Sequence, residues 1–583
     1  MNQFRRLFGL LRPYKRSLIA AAVLTAGLTF VGMAPPLLMR RLVNDVAREG
    51  RWGIFALVMG LLFGVPLLRA LVNIVNSLIL NRVGLRLIRE TRRGIFAHLM
   101  RLSMRFYDET PVGGIQQRLM GDVGNISGLV TGGMVTLLAD VVAVGFAVVV
   151  MLRLSGWLSL LTFGLLPLYF LNYRFFSKRI QSANAVLRSR MDHISSMLQE
   201  RLSAHELIQS YGQEKAEATR FSSQAKQIMD AAVKGQAYSI SFSQLAEFIN
   251  KMGNTLIYCA GCYLFVKERM NYGDVIAFAA YATQLLGPVV RFAALATQVA
   301  QVGVSVDRVN EILDREPAIR EAPDAAPVTQ LKGDVAIDGL TFGYGEAAPV
   351  IDDLNLDIAA GAHVAVLGPP GAGCTTLAML LRRFYDPRRG TIAVDGRDIR
   401  RYCLKDYRRG LALIAPSSAI FDGTIRGNLC YGQPDASAER MIEVAKAVGL
   451  HPFVAGLAEG YDTRLGTGGL RLSAGVQQQI RVARALVADP FILIADEAAA
   501  ALDPESADTV NLAIRDLMHG RTCILIVHQV IRAREADSIA VIRDGRIIET
   551  GTHDDLMTRP DGAYRRLYDE RDGGPEPGHG GEA

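Results

Sequence analysis

Cysteine is scarce in this sequence, and the few cysteines that occur form no recognisable framework. Six are scattered over 583 residues, which is the pattern of neither a disulfide scaffold nor a zinc quartet. Cys259 and Cys262 have a CxxC spacing, but they lie in an apolar stretch that reads as a helix, so packing is favoured over redox or metal chemistry. The other four are Cys374, Cys403, Cys430 and Cys523.

Charge is also sparse and nearly balanced. Charged residues make up 21% of the chain and the net charge is +7, which is modest for this length and does not indicate a nucleic-acid partner. Arginines that flank membrane segments explain the excess more simply. Residues 1–16 alternate basic and apolar side chains without a small-residue cleavage site. They predict an amphipathic helix on a membrane surface and no cleavable signal peptide.

Long uncharged runs fill the first half of the chain. Half of all residues are hydrophobic, and the chain is too long for one ordinary domain. About six runs are candidate membrane spans, with boundaries uncertain by several residues. They are Ser17–Met39, Ile54–Leu80, Ile126–Leu152, Leu154–Tyr173, Met252–Val266 and Val275–Val306.

Two long charged links, 81–125 and 174–251, separate these runs. Both favour helix and carry many arginines. The bias of positive charge toward the cytoplasm places both links and the N-terminus there. Arg40 and Arg41 fall on the opposite side and count mildly against this orientation. Long helices that continue from the membrane into the cytoplasm are the simplest interpretation.

Five charged residues lie within or near the spans: Arg69, Asp140, Glu247, Lys251 and Arg291. Charge inside a membrane is costly, so each is expected to face a cavity or a partner. One interpretation is a polar translocation path, and the other is snorkelling or a structural pair. The two are balanced for Arg69 and Arg291, and the second is favoured for the remaining three.

The second half has the composition of a soluble α/β domain. Residues 1–316 are predicted to form the membrane domain, and the Ala- and Pro-rich stretch 317–331 reads as a linker. Short β-branched runs, glycine turns and amphipathic helices follow over 332–570. The tail 571–583 is expected to be disordered.

The glycine-rich loop Gly368–Thr376, with the sequence GPPGAGCTT, is the strongest signal of this domain. It follows an apolar β-branched run and opens onto an apolar run that reads as a helix, which is the context of a phosphate-binding loop. Gly368, Gly371 and Gly373 let the backbone turn sharply and bring its N–H groups close to a polyphosphate. The dipole of the helix that follows favours the same anion.

This loop lacks the lysine that such loops place before their hydroxyl residues. Cys374 stands at that position, and Thr375 and Thr376 follow it. Thr375 is the hydroxyl expected to bind Mg²⁺. A neutral thiol cannot give the β- and γ-phosphates a positive charge or three hydrogen bonds. The sequence therefore predicts the fold of a nucleotide site with damaged chemistry.

Two apolar strands end in residues suited to the same site. Asp496 is expected to hold Mg²⁺ through water, and Glu497 to polarise the attacking water. His528 follows a second apolar run and could contact a γ-phosphate. Many strands end in acids and a lone histidine is more often structural, so the preceding loop is what strengthens these assignments.

Together these residues resemble the ATP-binding cassette (ABC) exporters in their half-transporter form, over nearly the whole chain. The matching segments are Leu472–Gln479 and Val482–Leu486 for the signature helix, Ala501–Asp503 for the D-loop, Gly551–Leu556, Thr110–Gly114 through Asp122-Val123 for the first coupling region and Asn271–Asp274 for the entry to the sixth span.

The resemblance implies a type IV exporter-like, all-α transmembrane domain of six helices, joined to a C-terminal α/β P-loop cassette domain. It also implies a dimer that binds ATP and Mg²⁺ between the P-loop of one cassette and the signature of the other. Tyr344 matches the aromatic residue that stacks on adenine, and Ser473 and Gly475 match the signature. Asp503 matches the D-loop residue, and His528 the switch histidine.

Several positions depart from the family pattern. Pro416, with Ser417 beside it, stands where the Q-loop glutamine is expected, and Thr467 stands in place of the glutamate before the signature. Ala474 and Val476 replace the usual glycine and glutamine. Loss of one preorganised donor typically costs on the order of 10²–10³ in rate, so a fast site on this P-loop is not expected.

Three functions fit this pattern. The first is a heterodimeric exporter subunit whose own P-loop site is weak and whose signature completes a partner's site. The second is a homodimer that hydrolyses ATP slowly or binds it atypically. The third is a membrane pseudo-ATPase that acts as a scaffold or regulator.

The resemblance also implies a multi-pass protein of the inner or plasma membrane with a cytoplasmic nucleotide-binding domain. The expected substrate is lipid-like, drug-like or otherwise amphipathic, and export is the expected direction. The expected partners are a second half-transporter and the lipid bilayer.

Overall fold

A computed structural model of the chain describes residues 12–345, 348–415, 418–466, 469–498, 502–527 and 530–571. Most of the predicted surface helix 1–16 and nearly all of the predicted tail 571–583 lie outside these ranges. By their contacts the residues form two compact units, Met1–Met100 with Val112–Arg315, and Arg101–Pro111 with Glu316–Ala583.

The first unit is entirely helical over its described part. Its helices are α1 (Lys15–Gly32), α2 (Ala34–Arg41), α3 (Phe55–Leu99), α5 (Val112–Gln117), α6 (Val123–Gly128), α7 (Met134–Leu154), α8 (Gly156–Phe163), α9 (Leu166–Ser203), α10 (His205–Ser210), α11 (Glu214–Val266) and α12 (Tyr272–Leu313). Helix α4 (Met104–Glu109) belongs to the second unit.

Proline sets two of the breaks between these helices. The first predicted span is divided at Met33, and Pro35 lies in the first turn of α2, where its missing N–H is tolerated. The fourth predicted span is divided between α8 and α9, just before Pro167. The Pro35-Pro36 pair therefore lies at a helix boundary within the first predicted span.

Three stretches in the described part of the chain are long and apolar enough to cross a membrane by themselves. These are Arg12–Arg48, Trp52–Leu99 and Val112–Leu154. They contain the first three predicted spans. The fourth predicted span falls on α8 and α9, the fifth on α11 and the sixth on α12.

Charged residues within the spans are mostly paired. The Arg291 guanidinium donates to both carboxylate oxygens of Asp140, at 2.8 and 2.6 Å. Lys251 lies 2.9 Å from Glu247 one helical turn away. These four residues fit the structural-pair interpretation. Arg69 instead packs against Gly32, and it has no carboxylate within salt-bridge distance in the described part of the chain.

Over its described ranges, the second unit is built on three sheets. Its strands are β1 (Val335–Phe342), β2 (Ile351–Ile358), β3 (His363–Leu367), β4 (Arg389–Val394), β5 (Arg397–Asp398), β6 (Leu411–Ile414), β7 (Gly423–Thr424), β8 (Arg464–Leu465), β9 (Ile492–Asp496), β10 (Thr522–Val527), β11 (Ser538–Arg543) and β12 (Arg546–Gly551). The strand orders are β2-β1-β4-β5, β12-β11-β3-β10-β9-β6 and β7-β8.

Ten further helices lie in the described residues of this unit. They are α13 (Cys374–Leu381), α14 (Leu404–Arg409), α15 (Ile425–Leu429), α16 (Ala438–Ala447), α17 (His451–Ala455), α18 (Ala474–Val487), α19 (Pro504–Leu517), α20 (Val530–Ala533), α21 (His553–Met557) and α22 (Ala563–Arg571). Strands β3, β9 and β10 are buried almost throughout, as expected for parallel strands covered on both faces.

Candidate nucleotide-binding site

Three parallel strands bring the predicted site residues to one edge of the six-stranded sheet. Strand β10 lies between β3 and β9, with Val527 opposite Leu367 and Ile526 opposite Asp496. The carboxyl ends of β3 and β9 therefore lie on either side of the end of β10. Ligands of open α/β sheets bind at this edge, where the loops that follow the strands diverge.

The loop after β3 adopts conformations that require glycine. Gly371 has φ 86° and Gly373 has φ 106°, both in the region that glycine occupies without strain. A Cβ atom at Gly373 would lie 3.1 Å from the Val350 carbonyl oxygen. At Gly368 it would lie 2.8 Å from the Ile542 carbonyl oxygen. The tight, side-chain-free backbone fits a polyphosphate cradle that leads into the N-terminus of α13.

Cys374 is the first residue of α13, and its side chain is only 5% exposed. Burial, reinforced by the nearby Asp496 carboxylate, raises the pKa of the Cys374 thiol to about 11. The thiol is therefore neutral at physiological pH. It contributes neither the cation that the family motif supplies here nor a thiolate.

The two threonines that follow have different environments. Thr375 is exposed, so its hydroxyl is available to a ligand, whereas Thr376 is 6% exposed. The Thr376 hydroxyl lies 3.2 Å from the phenol oxygen of Tyr344. The structure thus brings Tyr344 to the phosphate loop from the segment after β1.

The carboxylates at the end of β9 also occupy this edge. Asp496 is the last residue of the strand and is buried. Glu497 has φ 51°, a left-handed conformation that is uncommon for this residue type, and its N–H donates to the Ile526 carbonyl at 3.1 Å. Backbone strain of this kind concentrates at functional sites.

The oxygen atoms offered by these residues suit a Mg²⁺ ion that is bound together with a nucleotide. A hydroxyl from Thr375 and a carboxylate from Asp496 are hard oxygen ligands, and Mg²⁺ usually takes one or two such groups together with substrate phosphates and water. No group of three or more His, Cys, Asp or Glu residues that could hold a metal occurs among the described residues. A metal here would therefore depend on the nucleotide phosphates.

The signature residues begin helix α18. Ser473 is its N-cap, and its hydroxyl accepts from the Val476 N–H at 3.3 Å. Gly475 lies in the first turn, where a Cβ atom would meet Leu502 at an ordinary 3.7 Å. Asp503 caps α19 by accepting from the Ser506 N–H at 3.0 Å, and this hydrogen bond lowers the pKa of its carboxyl.

Sequence reasoning missed two contacts around these residues. Gln478 is 1% exposed, and its amide donates to the Ala498 carbonyl at 2.6 Å, which ties the signature helix to the segment after Glu497. In the sequence, only the position of Gln478 one turn into the signature helix could have suggested that its side chain makes a structural contact.

The second missed residue is Tyr385. Its ring packs edge-on against Tyr344, with centroids 5.4 Å apart, and its hydroxyl donates to Asp108. Desolvation of the phenol, with Asp108 nearby, raises the pKa of Tyr385. Asp108 lies 277 positions earlier in the chain, so no local pattern could have indicated this contact.

Some predicted positions lie outside the described residues. These are His528, Pro416, Ser417, Thr467 and Ala501. The sites assigned to them remain predictions from the sequence.

Two protein families match the chain. The ABC transporter transmembrane region matches residues 18–289, and the ABC transporter family matches residues 351–500. An uncharacterized ABC transporter ATP-binding protein of Bacillus subtilis is 31% identical over 96% of this chain and 92% of its own length. An ATP-dependent lipid A-core flippase of Desulfotalea psychrophila is 31% identical over 97% of this chain and 98% of its own.

A solved structure shares the fold. It is a bacterial Atm1-family ABC exporter with ATP bound, which superposes with a TM-score of 0.80 at 26% identity and covers 98% of this chain and 99% of its own.

Proposed function

Because this chain belongs to the ABC transporters, as an exporter half-transporter with a transmembrane and a nucleotide-binding domain on one polypeptide, we propose that its turnover depends on a second half-transporter. In such a dimer the chain's own P-loop site binds nucleotide and hydrolyses it slowly. Ser473 and Gly475 complete a faster site on the partner's P-loop.

The observation that carries this proposal is the asymmetry between the two half-sites that one chain offers. The P-loop half has a buried, neutral Cys374 thiol in place of a lysine ammonium. The signature half keeps Ser473 and Gly475 on an ordered helix start. A competent site needs one half of each kind, so this chain is better suited to completing a site than to supplying the phosphate cradle.

The chain's own groups divide the work at its P-loop. Backbone N–H groups of the loop and of α13 donate to the phosphates, and Tyr344 packs on the base. Thr375 and Asp496 would hold Mg²⁺, which neutralises charge on the phosphate oxygens when it is bound. Glu497 orients the attacking water and takes its proton. Without a lysine, charge that develops between the β- and γ-phosphates is less stabilised.

A homodimer with slow turnover is the second candidate. Asp496 lies at the expected strand end, and Glu497 follows it directly. The chain thus keeps both carboxylates that its own P-loop site would need for hydrolysis. Homodimeric turnover would then be limited by the missing cation together with the departures at Pro416, Ala474 and Val476.

The proposed substrate is amphipathic, either lipid-like or drug-like, and one relative is named as a lipid A-core flippase. We place the protein in the cell's inner or plasma membrane with its nucleotide-binding domain in the cytoplasm. The proposed domain boundaries are 1–316 and 332–570, joined by the linker 317–331.

The decisive experiment measures ATP hydrolysis by the purified chain in lipid nanodiscs, alone and together with a co-purifying half-transporter. The proposal expects little hydrolysis alone and a gain on mixing. It also expects Cys374→Lys to raise the rate of the chain alone by about 10²-fold, since a charge-stabilising donor is restored. A Cys374→Ala variant controls for loss of the thiol and should leave the rate unchanged.

Glu497→Gln separates the two candidates. In the heterodimer it should change total turnover by less than half, because the fast site uses the partner's glutamate. Brisk hydrolysis by the chain alone, abolished by Glu497→Gln, would instead establish the homodimer and overturn the first proposal.

A further inference from the structure

An amphipathic groove runs between helices α9 and α11 of the first unit, remote in sequence from the nucleotide site. Its volume is about 900 Å³. Apolar side chains line most of its length, among them Leu168, Leu171, Phe248, Met252 and Leu256. All five are more than 40% exposed.

Two partly buried hydrogen bonds fix the walls of the groove. The Tyr169 hydroxyl donates to the Ala246 carbonyl at 3.0 Å, and the Asn172 amide donates to the Phe242 carbonyl at 3.1 Å. Tyr169 and Asn172 are each 5% exposed. Because both bonds cross between α9 and α11, the groove is preformed and does not require a ligand to open it.

Three cations line one end of the groove: Arg174, Lys178 and Arg179. The Arg179 guanidinium lies 3.8 Å from the centre of the Phe175 ring, which holds it at the groove wall. Within the described ranges, none of the three has a hydrogen bond or an ion pair with a carboxylate. An apolar groove thus ends in a cluster of uncompensated positive charge.

The position of this cluster along α9 places it at a membrane surface. The uncharged run that forms the fourth predicted span ends at Tyr173, and the first cation follows directly. The charged link 174–251 is predicted to be cytoplasmic. The cations therefore lie at the depth of the cytoplasmic headgroups, and the apolar part of the groove faces the acyl chains.

We propose that this groove binds one anionic glycerophospholipid of the cytoplasmic leaflet. The headgroup phosphate accepts from Arg174, Lys178 and Arg179, and an acyl chain lies along Leu168, Phe248 and Met252. Basic pockets between transmembrane helices recognise anionic headgroups in this way. The preference for anionic over zwitterionic lipids comes from the charge of the headgroup. The acyl chains add little to that preference, because they contact apolar groups equally well in the bilayer and in the groove.

Native mass spectrometry of the intact, detergent-solubilised chain tests the assignment. Titration with phosphatidylglycerol should give one tightly retained lipid, with at least tenfold preference over phosphatidylcholine of the same chains. Glycerol phosphate, which has the charge but no chains, should not compete at the same concentration. Equal retention of both lipids, or full competition by glycerol phosphate, would overturn the proposal.

Matched variants locate the site. Replacing the three cations together, Arg174→Gln, Lys178→Gln and Arg179→Gln, should abolish the preference for phosphatidylglycerol. Replacing three exposed cations elsewhere on the same two helices, Arg188→Gln, Lys215→Gln and Lys226→Gln, removes equal charge and should leave it intact. If the two triple variants behave alike, the lipid senses net charge and the groove has no specific role.

A second copy of the chain could cover the groove in place of a lipid, and cross-linking separates these two cases. A photoreactive residue at position 252 in the full chain in phosphatidylglycerol nanodiscs should form adducts with lipid. Adducts with a second copy would show that a protein interface covers the groove. Because these readouts measure binding and not hydrolysis, they are independent of the proposed partner dependence.

Discussion

The phenol oxygen of Tyr344 lies 3.2 Å from the hydroxyl oxygen of Thr376, so the aromatic residue before β2 is hydrogen-bonded to the helix that follows the phosphate loop. The same ring packs edge-on against Phe342, with centroids 5.2 Å apart. Tyr344 is nevertheless 42% exposed, which leaves part of its ring for a ligand. The base-stacking role implied by the family resemblance can therefore be tested separately from this hydrogen bond.

Tyr344→Phe should leave ATP affinity within about threefold, because the ring is kept and only the bond to Thr376 is lost. Tyr344→Ala should weaken binding by about 5- to 150-fold, since stacking of a base on an aromatic ring is worth about 1–3 kcal/mol. Equilibrium binding of a fluorescent ATP analogue measures both. Equal losses in the two variants would assign the effect to the hydroxyl.

Gly475→Ala should abolish the contribution of the signature without disturbing the fold. The added methyl meets Leu502 at an ordinary 3.7 Å, so the midpoint of thermal unfolding should stay within a degree or two. Turnover with a competent partner should fall at least tenfold, because the methyl obstructs close approach of a nucleotide. Turnover close to wild type would remove the signature from the proposed mechanism.

Gly373→Ala is the contrasting variant. Here φ is 106°, and a methyl would lie 3.1 Å from the Val350 carbonyl oxygen. This variant should lower the unfolding midpoint by several degrees, as expected for strain of about 1–3 kcal/mol.

The Cys374 thiol should alkylate slowly, with a rate that keeps rising at high pH. A pKa near 11 leaves about 10⁻³ of the thiol ionised at pH 8, against about 10⁻¹ for a pKa of 9. Iodoacetamide labelling of this peptide, followed by mass spectrometry, should rise about tenfold per pH unit between pH 8 and pH 10. The same peptide in the urea-unfolded chain is the control and should level off near pH 9.

The ion pair between Asp140 and Arg291 should stabilise the first unit. Asp140→Asn alone leaves the arginine unpaired in a span, and because Arg291 is half-exposed the cost should be about 1–2 kcal/mol, below that of a fully buried pair. The double variant Asp140→Asn with Arg291→Gln should recover most of the loss, as measured by unfolding midpoints in one detergent. Additive losses would mean that the two residues act independently.

Local rules predicted the elements of the nucleotide site well. The apolar run before Gly368 is β3 and the run after it is α13, and the run before Glu497 is β9. Each follows from composition within a few residues, so strand, loop and helix could be placed from the sequence. The cost of replacing lysine with Cys374 could also be stated, because charge depends on residue type.

Contacts between distant segments could not be predicted in the same way. The partner of Asp140 lies 151 positions away and that of Tyr385 lies 277 positions away, and only tertiary packing brings each pair together. The strained φ of Glu497 is likewise set by the β9–β10 register and not by its neighbours in sequence. The helix breaks before proline could be predicted from the sequence. The pairing of charged residues within the spans could not.

The grouping of Arg101–Pro111 with the C-terminal unit has an evolutionary consequence. This short segment is encoded within the gene region for the membrane helices, yet Asp108 is chemically matched to Tyr385. Recombination that joins the cassette of one transporter to the helices of another would therefore draw the two members of this hydrogen bond from different parents. A chimera keeps the bond only where both parents carry a matching pair at these two positions.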